Sequence, residues 1–357
     1  MPPPAEDPGG GAAPRLFDHH VHADGRNADD YELMALSGVD TVLIPCSASN
    51  ELRPCGASHD ARFERLLATE TRRAAQFGVR AWIALSVHAA DMAELPGALA
   101  GVERLEARLA DPRVLAVGEL SVRRHTDDEV TLLHRQLALA EAHDRPVMVE
   151  LPPGPDDFER MVAVLRRAFA AGLVDPARVA LMDVAPRMLP TAAALGVGGL
   201  GIAVSPAGDR LFQVRTKTDH RQLLDLLERH GPDRLMLNSG AHFGSSDPMA
   251  LARTVLRLRL AGVAPPVVAR LARGNAAAFF RLPAGPVPGA APGPPAGADA
   301  ARSRGGGSDR DRRPDHDRCR CGGARGGDDH GRRAGATATT APPPATPIPT
   351  PAPARQE

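Results

Sequence analysis

The stretch RLFDHHVH, residues 15–22, is the first of a series of short apolar segments, and it ends in a group of histidines. If these residues form a strand, side chains alternate between its two faces, so Asp18, His20 and His22 share one face. Neutral imidazole is a common ligand of Zn²⁺ and related ions. The segment therefore predicts a strand that carries two metal ligands to its carboxyl end. The alternative is a chance His-x-His match, with one histidine at the surface and the other hydrogen-bonded.

Further apolar segments follow at regular intervals, separated by amphipathic stretches. We predict strands at 15–22, 41–46, 80–86, 114–119, 146–151, 178–184, 199–204 and 234–239. Predicted helices lie near 29–37, 59–77, 94–110, 127–143, 156–171, 187–195, 219–230, 248–261 and 266–280. Eight strands that alternate with helices are typical of an α/β fold of the (β/α)8 TIM barrel type. An open doubly wound sheet is the alternative, but no Gly-x-Gly-x-x-Gly follows the first strand.

The two ends of the chain differ in composition from the segment between them. Residues 1–14 are mainly Pro, Gly, Ala and acidic residues, and residues 283–357 are rich in Pro, Gly, Ala and Arg. Such segments bury too little apolar surface to offset the entropy of ordering the chain. We therefore predict one barrel domain over 15–282, which is a usual size for this fold, between disordered extensions at 1–14 and 283–357.

Charge balance and cysteine content restrict the partners and the compartment. The 43 basic and 43 acidic residues cancel, and a net charge of zero does not favour nucleic acid or an anionic membrane as partner. We expect no secretory signal and no membrane span. Four cysteines, of which Cys319 and Cys321 lie in the C-terminal extension, fit a reducing cytoplasm. The prediction is a cytoplasmic protein with a small-molecule substrate, and the oligomeric state is left open.

A barrel gathers the carboxyl ends of its strands around one mouth, so polar residues at those ends are candidate site residues. His20 and His22 end strand 1, Glu119 ends strand 4, Glu150 ends strand 5, and His242 lies in the loop after strand 8. Imidazole nitrogens and carboxylate oxygens are ligands for Zn²⁺, Mn²⁺ or Mg²⁺. These residues predict a divalent metal site at the mouth.

Two basic residues in the long loop after strand 7, Arg215 and Lys217, are candidates for binding a phosphate or carboxylate group of the substrate. The alternative for both is a solvated loop.

On strand 4, alternation predicts that Glu119 shares the inward face with Leu115 and Val117.

Together these motifs resemble the TatD-related branch of the amidohydrolase superfamily. The motifs are Asp18-x-His20-x-His22, Val117-Gly118-Glu119, Pro146 to Glu150, Leu237-Asn238-Ser239 and Gly274-Asn275. The resemblance covers residues 15–282 and implies a metal-dependent hydrolase on a TIM barrel. In that family the two strand 1 histidines and the strand 4 glutamate bind one or two divalent metals. Histidines follow strands 5 and 6, and an aspartate after strand 8 binds metal and takes the proton of the attacking water.

This chain departs from the family pattern at three positions. Glu150 stands in place of the strand 5 histidine, Val184 in place of the strand 6 histidine, and His242 at or near the strand 8 aspartate. A valine cannot bind a metal, so the loss of the strand 6 ligand argues against a two-metal site.

We therefore predict one divalent ion held by His20, His22 and Glu119, with Glu150 or His242 as a further ligand. His242 is the predicted general base, because the unperturbed pKa of histidine lies near neutral pH. The activity implied is hydrolysis of a small-molecule ester, phosphoester or amide by a metal-activated water. The alternative is a catalytically degenerate barrel that keeps part of the metal site and serves as a binding or scaffold protein.

Overall fold

An eight-stranded parallel sheet forms the centre of the molecule in the computed structural model, which describes residues 15–48, 55–205, 217–242 and 246–289. Each strand pairs with its neighbours in the chain, in the order β1 to β8. The strands are β1 (Leu16–Asp18), β2 (Val39–Pro45), β3 (Arg80–Leu85), β4 (Val114–Leu120), β5 (Val147–Glu150), β6 (Val179–Met182), β7 (Gly199–Ala203) and β8 (Leu235–Asn238). The predicted (β/α)8 barrel is confirmed.

The barrel approaches closure just beyond the ends of β1 and β8. Val21 forms a parallel bridge with Ala241, and the backbone N–H of His22 donates to the carbonyl oxygen of Ala241 at 2.7 Å. Below this bridge the carboxylate of Asp18 accepts a hydrogen bond from the backbone N–H of Ser239 at 3.0 Å. These contacts fix the segment that carries His20 and His22 against the segment that leads to His242.

Helices separate the strands, as the amphipathic pattern predicts. They are α1 (Asp29–Leu36), α2 (Gly56–Glu64), α3 (Thr71–Ala75), α4 (Leu95–Arg108), α5 (Asp127–Ala142), α6 (Pro155–Ala170), α7 (Leu189–Ala193), α8 (His220–His230), α9 (Ala250–Leu260), α10 (Pro265–Ala269) and α11 (Asn275–Phe279). The predicted helices near 59–77 and 266–280 are each interrupted by a wider π-helical segment, Arg65–Glu70 and Arg270–Gly274. Gly38 and Gly78 follow helices with φ of 88° and 73°, a conformation that glycine adopts without steric cost.

The core has two layers because adjacent strand residues point to opposite sides of the barrel wall. Leu16 packs in the larger cluster between strands and helices, whereas its neighbour Phe17 packs in a smaller cluster with Leu43, Trp82 and Met148. All of these side chains are at most 3% exposed. Burying one such side chain contributes about 1.5–3 kcal/mol, so the barrel interior is a packed core and the site must lie at its rim.

Two details of the strands differ from the prediction. β1 ends at Asp18, so His20 and His22 lie in the turn beyond the strand and not on one of its faces. On β4, Val117 belongs to the outer cluster although Leu115 belongs to the inner one. The register of β4 against β5 shifts between Val117 and Leu120, so side chains there do not alternate regularly between the two faces of the strand.

The predicted extension 1–14 lies outside the described residues, as does the predicted C-terminal extension beyond residue 289. Within the described ranges, no helix has the length and hydropathy needed to cross a lipid bilayer.

Candidate metal centre

Three predicted ligands converge at the mouth of the barrel. The Nε2 atoms of His20 and His22 lie 3.3 Å apart. The Nε2 of His20 lies 2.9 Å from Glu119 Oε1, and the Nε2 of His22 lies 3.6 Å from Glu119 Oε2. The side chains come from the turn after β1 and from the end of β4, and all three residues are at most 8% exposed. The structure thus brings together the two histidines and the glutamate that the sequence predicts as ligands.

The spacing of these atoms fits a shared cation. Ligand atoms about 2.0–2.2 Å from a tetrahedral ion lie roughly 3.3–3.6 Å from one another. The Nε2–Nε2 distance and the distance from His22 to Oε2 of Glu119 fall in this range, and the distance from His20 to the other oxygen, Oε1, is shorter by a few tenths of an ångström. Although Glu119 Oε1 lies close to His20, it makes no well-aligned hydrogen bond within the described part of the chain. Atoms that meet in this way are oriented toward a common point.

The charges around His20 also favour a cation. Burial alone would lower the pKa of His20, but the negative charge of Glu119, with smaller contributions from Asp183 and Glu150, raises it to about 10. Burial lowers the pKa of His22 well below its usual value, and the positive charge of His20 acts in the same direction. A proton on His20 therefore partly balances three nearby carboxylates, and a divalent ion would balance them more fully.

The residue that follows β6 places a carboxylate at the site. Val184, at the position where the resemblance implies a histidine, is fully buried in the outer core. The preceding Asp183 has a positive φ of 56°, and its Oδ1 lies 3.9 Å from the Nδ1 of His20, on the side of the ring opposite Glu119. Burial raises the pKa of Asp183 to about 6, and the charges of Glu119 and Glu150 add to this shift. At 3.9 Å this contact is too long for a hydrogen bond, so Asp183 acts on His20 through its charge.

Glu150 lies beside a residue that the sequence analysis did not select. Its Oε2 is 3.6 Å from the Nε2 of His88, and His88, Glu119 and Glu150 form a second group whose ligand atoms lie within 4.8 Å of one another. Glu150 does not join the group of His20, His22 and Glu119. Its role as a ligand stays a prediction.

His88 could have been found from the alternation of β3. Trp82 and Ala84 point into the barrel, so the same period of two places Ser86 and His88 on the inward side beyond the end of the strand. The residue is 4% exposed. Its Nδ1 accepts a hydrogen bond from the backbone N–H of Ala90 at 3.1 Å, and its Nε2 lies 3.0 Å from Ser121 Oγ.

The remaining predicted residues lie around the same mouth or outside the described ranges. The ring of His242 is 6.3 Å from that of His22, centre to centre. The positive charge of Lys217 lowers the pKa of Asp183. The Lys217 side chain passes close to Gly240, with its Cε 3.7 Å from the position that a β-carbon would take there. Arg215 lies outside the described residues.

Comparison with known proteins finds relatives in sequence and in fold. No family model matches the chain. A protein of Methanocaldococcus jannaschii named an uncharacterized metal-dependent hydrolase is 25% identical over 273 residues, which is 75% of this chain and 100% of that protein. The TatD-like protein of Archaeoglobus fulgidus has a TM-score of 0.57 and 20% identity over 74% of this chain and 100% of its own.

Two structures from Escherichia coli have the same barrel. A TatD homologue has a TM-score of 0.53 and 18% identity, and it covers 76% of this chain and 100% of its own. A phosphotriesterase homology protein, complexed with phosphate in its active site, has a TM-score of 0.51 and 16% identity, with coverage of 76% and 100%. At these identities the structural matches show the fold alone.

The chain therefore has the barrel fold of these TatD-like and phosphotriesterase-like proteins. The ligands predicted at strands 1 and 4 are His20, His22 and Glu119, and the positions after strands 5, 6 and 8 carry Glu150, Val184 and His242. Val184 is turned into the core, and its neighbour Asp183 lies at the site.

Proposed function

We propose that this protein is a hydrolase that uses one divalent cation and water to cleave a small-molecule ester, phosphoester or amide. The observation that carries the proposal is the convergence of His20, His22 and Glu119 on one point at the barrel mouth. A cation bound there, Zn²⁺, Mn²⁺ or Mg²⁺, would polarise the scissile bond and lower the pKa of water. The relative with 25% identity bears the name of a metal-dependent hydrolase, which agrees with this chemistry.

The residues around the cluster divide the remaining tasks. Asp183 places a negative charge beside the His20 ring, with its Oδ1 3.9 Å from Nδ1. Lys217 supplies a positive charge at the mouth, which suits a substrate with a phosphate or carboxylate group. Arg215 keeps the substrate-binding role proposed from the sequence. A small-molecule substrate, a cytoplasmic location and the lack of a nucleic-acid partner are further parts of the proposal.

Two residues are candidates for accepting the proton of the attacking water. His242 was selected from the sequence, and its ring lies beside that of His22. A carboxylate oxygen of Glu150 lies within 4.8 Å of a carboxylate oxygen of Glu119. Either group takes the place of the strand 8 aspartate of the family.

A substrate panel with a matched variant tests the proposal. Purified protein is stripped of metal, reloaded with Zn²⁺, Mn²⁺ or Mg²⁺, and assayed with bis(4-nitrophenyl) phosphate, 4-nitrophenyl acetate, dihydrocoumarin and a dipeptide. We expect turnover with at least one metal and one substrate, and loss of that turnover in His22→Ala. Metal content is measured by elemental analysis on the same samples.

The competing function is a binding or scaffold protein. The burial of Val184 in the core and the histidine at position 242 favour it, because both positions carry ligands in active family members. A wild-type protein that takes up no metal on titration and hydrolyses none of the panel would support the scaffold and contradict the hydrolase.

A further inference from the structure

We propose that His88 and Glu150 remain free of metal, so that the site holds a single cation, and that Glu150, held in position by His88, accepts the proton of the attacking water. The inference deepens the proposed function and rests on it. It assigns the second group of ligand-like atoms at the mouth to proton transfer and not to a second cation.

By distance alone, His88, Glu119 and Glu150 look like a second metal site that shares Glu119 with the first. The two groups together offer three imidazoles and two carboxylates, and through the shared Glu119 they would hold two cations if every nitrogen at the mouth had a free lone pair. The ligand assignment therefore depends on which ring nitrogen of His88 carries its proton.

The hydrogen bonds of His88 determine its tautomer. The backbone N–H of Ala90 donates to Nδ1 at 3.1 Å, where His88 caps the short helix Ala89–Asp91. An atom that accepts an N–H cannot itself carry a hydrogen toward that donor. The proton of the neutral ring therefore lies on Nε2, the atom that faces Ser121 Oγ at 3.0 Å and Glu150 Oε2 at 3.6 Å.

A protonated Nε2 has no lone pair to give to a cation. Coordination through Nε2 would require the proton to move to Nδ1, where it would face the N–H of Ala90. The change would also replace the donor that faces Ser121. His88 is thus committed to the protein through both nitrogens, unlike His20 and His22, whose Nδ1 atoms make no hydrogen bond within the described ranges.

Ser121 Oγ is the hydrogen-bond partner of the His88 Nε2–H at 3.0 Å, and the carboxylate of Glu150 lies beside this N–H at 3.6 Å. The Glu150 side chain is 31% exposed, whereas that of Glu119 is 5% exposed. Glu150 is therefore a carboxylate next to the metal cluster that is open to water and substrate.

Proton transfer through Glu150 gives a balanced hydrolytic step. One O–H bond of water breaks, its proton passes to an Oε atom of Glu150, and the oxygen electron pair forms the bond to the carbonyl carbon or phosphorus of the substrate. When the bond to the leaving group breaks, the same proton passes to the leaving atom, and Glu150 returns to its carboxylate form. His88 acts as a positioning residue and does not bind substrate or metal.

Three variants separate the alternatives. His88→Asn keeps an oxygen that accepts the N–H of Ala90, since asparagine is a preferred helix cap, but it removes the Nε2–H. Glu150→Gln keeps the shape of the side chain and removes the charge. His22→Ala removes a proposed ligand. Each protein is loaded with Zn²⁺ or Mn²⁺ and dialysed, and bound metal per chain is measured by elemental analysis. Long-range ¹H–¹⁵N NMR on the wild type identifies the tautomer of His88.

We expect one cation per chain in the wild type, in His88→Asn and in Glu150→Gln, none in His22→Ala, and an Nε2–H tautomer at His88. With the panel substrate that the wild type hydrolyses, kcat of Glu150→Gln should fall about 10²- to 10⁴-fold. In His88→Asn, kcat should fall by a smaller factor with little change in KM, as expected for a residue that acts through Glu150.

Other results would overturn the inference. Two cations in the wild type that fall to one in His88→Asn or Glu150→Gln would establish a second metal site. One cation in the wild type and none in Glu150→Gln would make Glu150 a ligand. Unchanged kcat in Glu150→Gln would exclude it as the proton acceptor. Wild-type protein without any bound cation would instead contradict the proposed function itself.

Discussion

The Nε2 atoms of His20 and His22 face each other at 3.3 Å, and Glu119 lies within 3.6 Å of both. Both histidines lie beyond the end of β1, in the turn that closes the barrel through Val21 and Ala241. Since two N–H groups cannot point at each other at this distance, at most one of the facing nitrogens carries a proton. The raised pKa of His20 and the lowered pKa of His22 assign that proton to His20.

Metal binding should therefore release a proton from His20. Its pKa of about 10 in the metal-free protein means that the ring is charged at pH 8, and a ligand nitrogen must lose its proton. We expect the release of about one proton per Mn²⁺ bound, measured by calorimetric titration in buffers of different ionisation enthalpy. The titration uses Mn²⁺ and not Zn²⁺, because Zn²⁺ lowers the pKa of its bound water to about 7 and would add a second source of protons. Binding without proton release at pH 8 would contradict the pairing of His20 with Glu119.

Replacement of His22 should abolish metal binding without unfolding the barrel. His22→Ala loses one of three converging ligands, whereas His143→Ala removes an exposed histidine that contacts Glu106 and serves as the matched control. We expect Mn²⁺ or Zn²⁺ to raise the melting temperature of the wild type and of His143→Ala but not that of His22→Ala. A ligand at 100 times its Kd stabilises by about 2.7 kcal/mol, which a thermal melt resolves easily. An equal shift in all three proteins would exclude His22 as a ligand.

The barrel was predictable because its strands and helices repeat with different periods. The apolar runs at 41–46 and 80–86 agree with β2 and β3 to within two residues at each end. The exceptions lie where a strand stops early or shifts register, as at Asp18 and between Val117 and Leu120. Local hydrophobicity does not encode these points, because they depend on which neighbouring strand supplies the next hydrogen bond.

Residues at the site were predictable where they belong to a sequence motif. They were less predictable where only contacts between distant parts of the chain bring a residue to the site. The His-x-His motif and the Gly118-Glu119 pair identified the first cluster. His88 was missed because a lone histidine two residues beyond Ser86 has no motif, although the alternation of β3 places it inward. The position of Asp183 behind His20 depends on a backbone with positive φ, which a single aspartate in a sequence does not reveal.

Arg26 should prove essential for stability although it is not a predicted site residue. Its guanidinium, on a side chain only 7% exposed, pairs with Asp30 and donates to the backbone oxygens of His242 and Ser246. Removal of one partner from a buried ionic network is costly, so we expect Arg26→Met to lower the free energy of unfolding by about 3 kcal/mol. Urea denaturation measures the change. The control Arg253→Met, at an exposed pair with Asp247, should cost less than about 1 kcal/mol.

Lys217 should affect substrate affinity more than turnover. It is the only lysine of the chain, and its charge acts on Asp183 at the mouth. If Lys217 binds an anionic group of the substrate, Lys217→Met should raise the KM for bis(4-nitrophenyl) phosphate about tenfold. The KM for dihydrocoumarin, which is neutral, should not change. A loss of one charged hydrogen bond, about 1.5–3 kcal/mol, corresponds to a change of this size or larger. Steady-state kinetics on the two substrates measure the difference, and equal effects on both would argue against an anion-binding role.

His19 should make the protein sensitive to acid independently of metal. Its ring is fully buried beside Phe17 and Phe280, and its Nε2 lies 3.2 Å from Asn238 Nδ2. Burial lowers the pKa of His19 to about 3, below the value of about 6.5 expected in the unfolded chain, and the charge of His20 lowers it further.

Protonation of His19 thus favours the unfolded chain. Its contribution to stability is present above pH 6.5 and is lost as the pH falls toward 3. His19→Gln keeps an acceptor for Asn238 but does not titrate, so the difference in unfolding free energy between wild type and variant should shrink by about 1.4 kcal/mol for each pH unit below 6. Urea denaturation with a chelator present, from pH 7 to 4, measures this difference without a contribution from metal loss. Parallel pH profiles for the two proteins would show that His19 is protonated as readily in the folded barrel as in the unfolded chain.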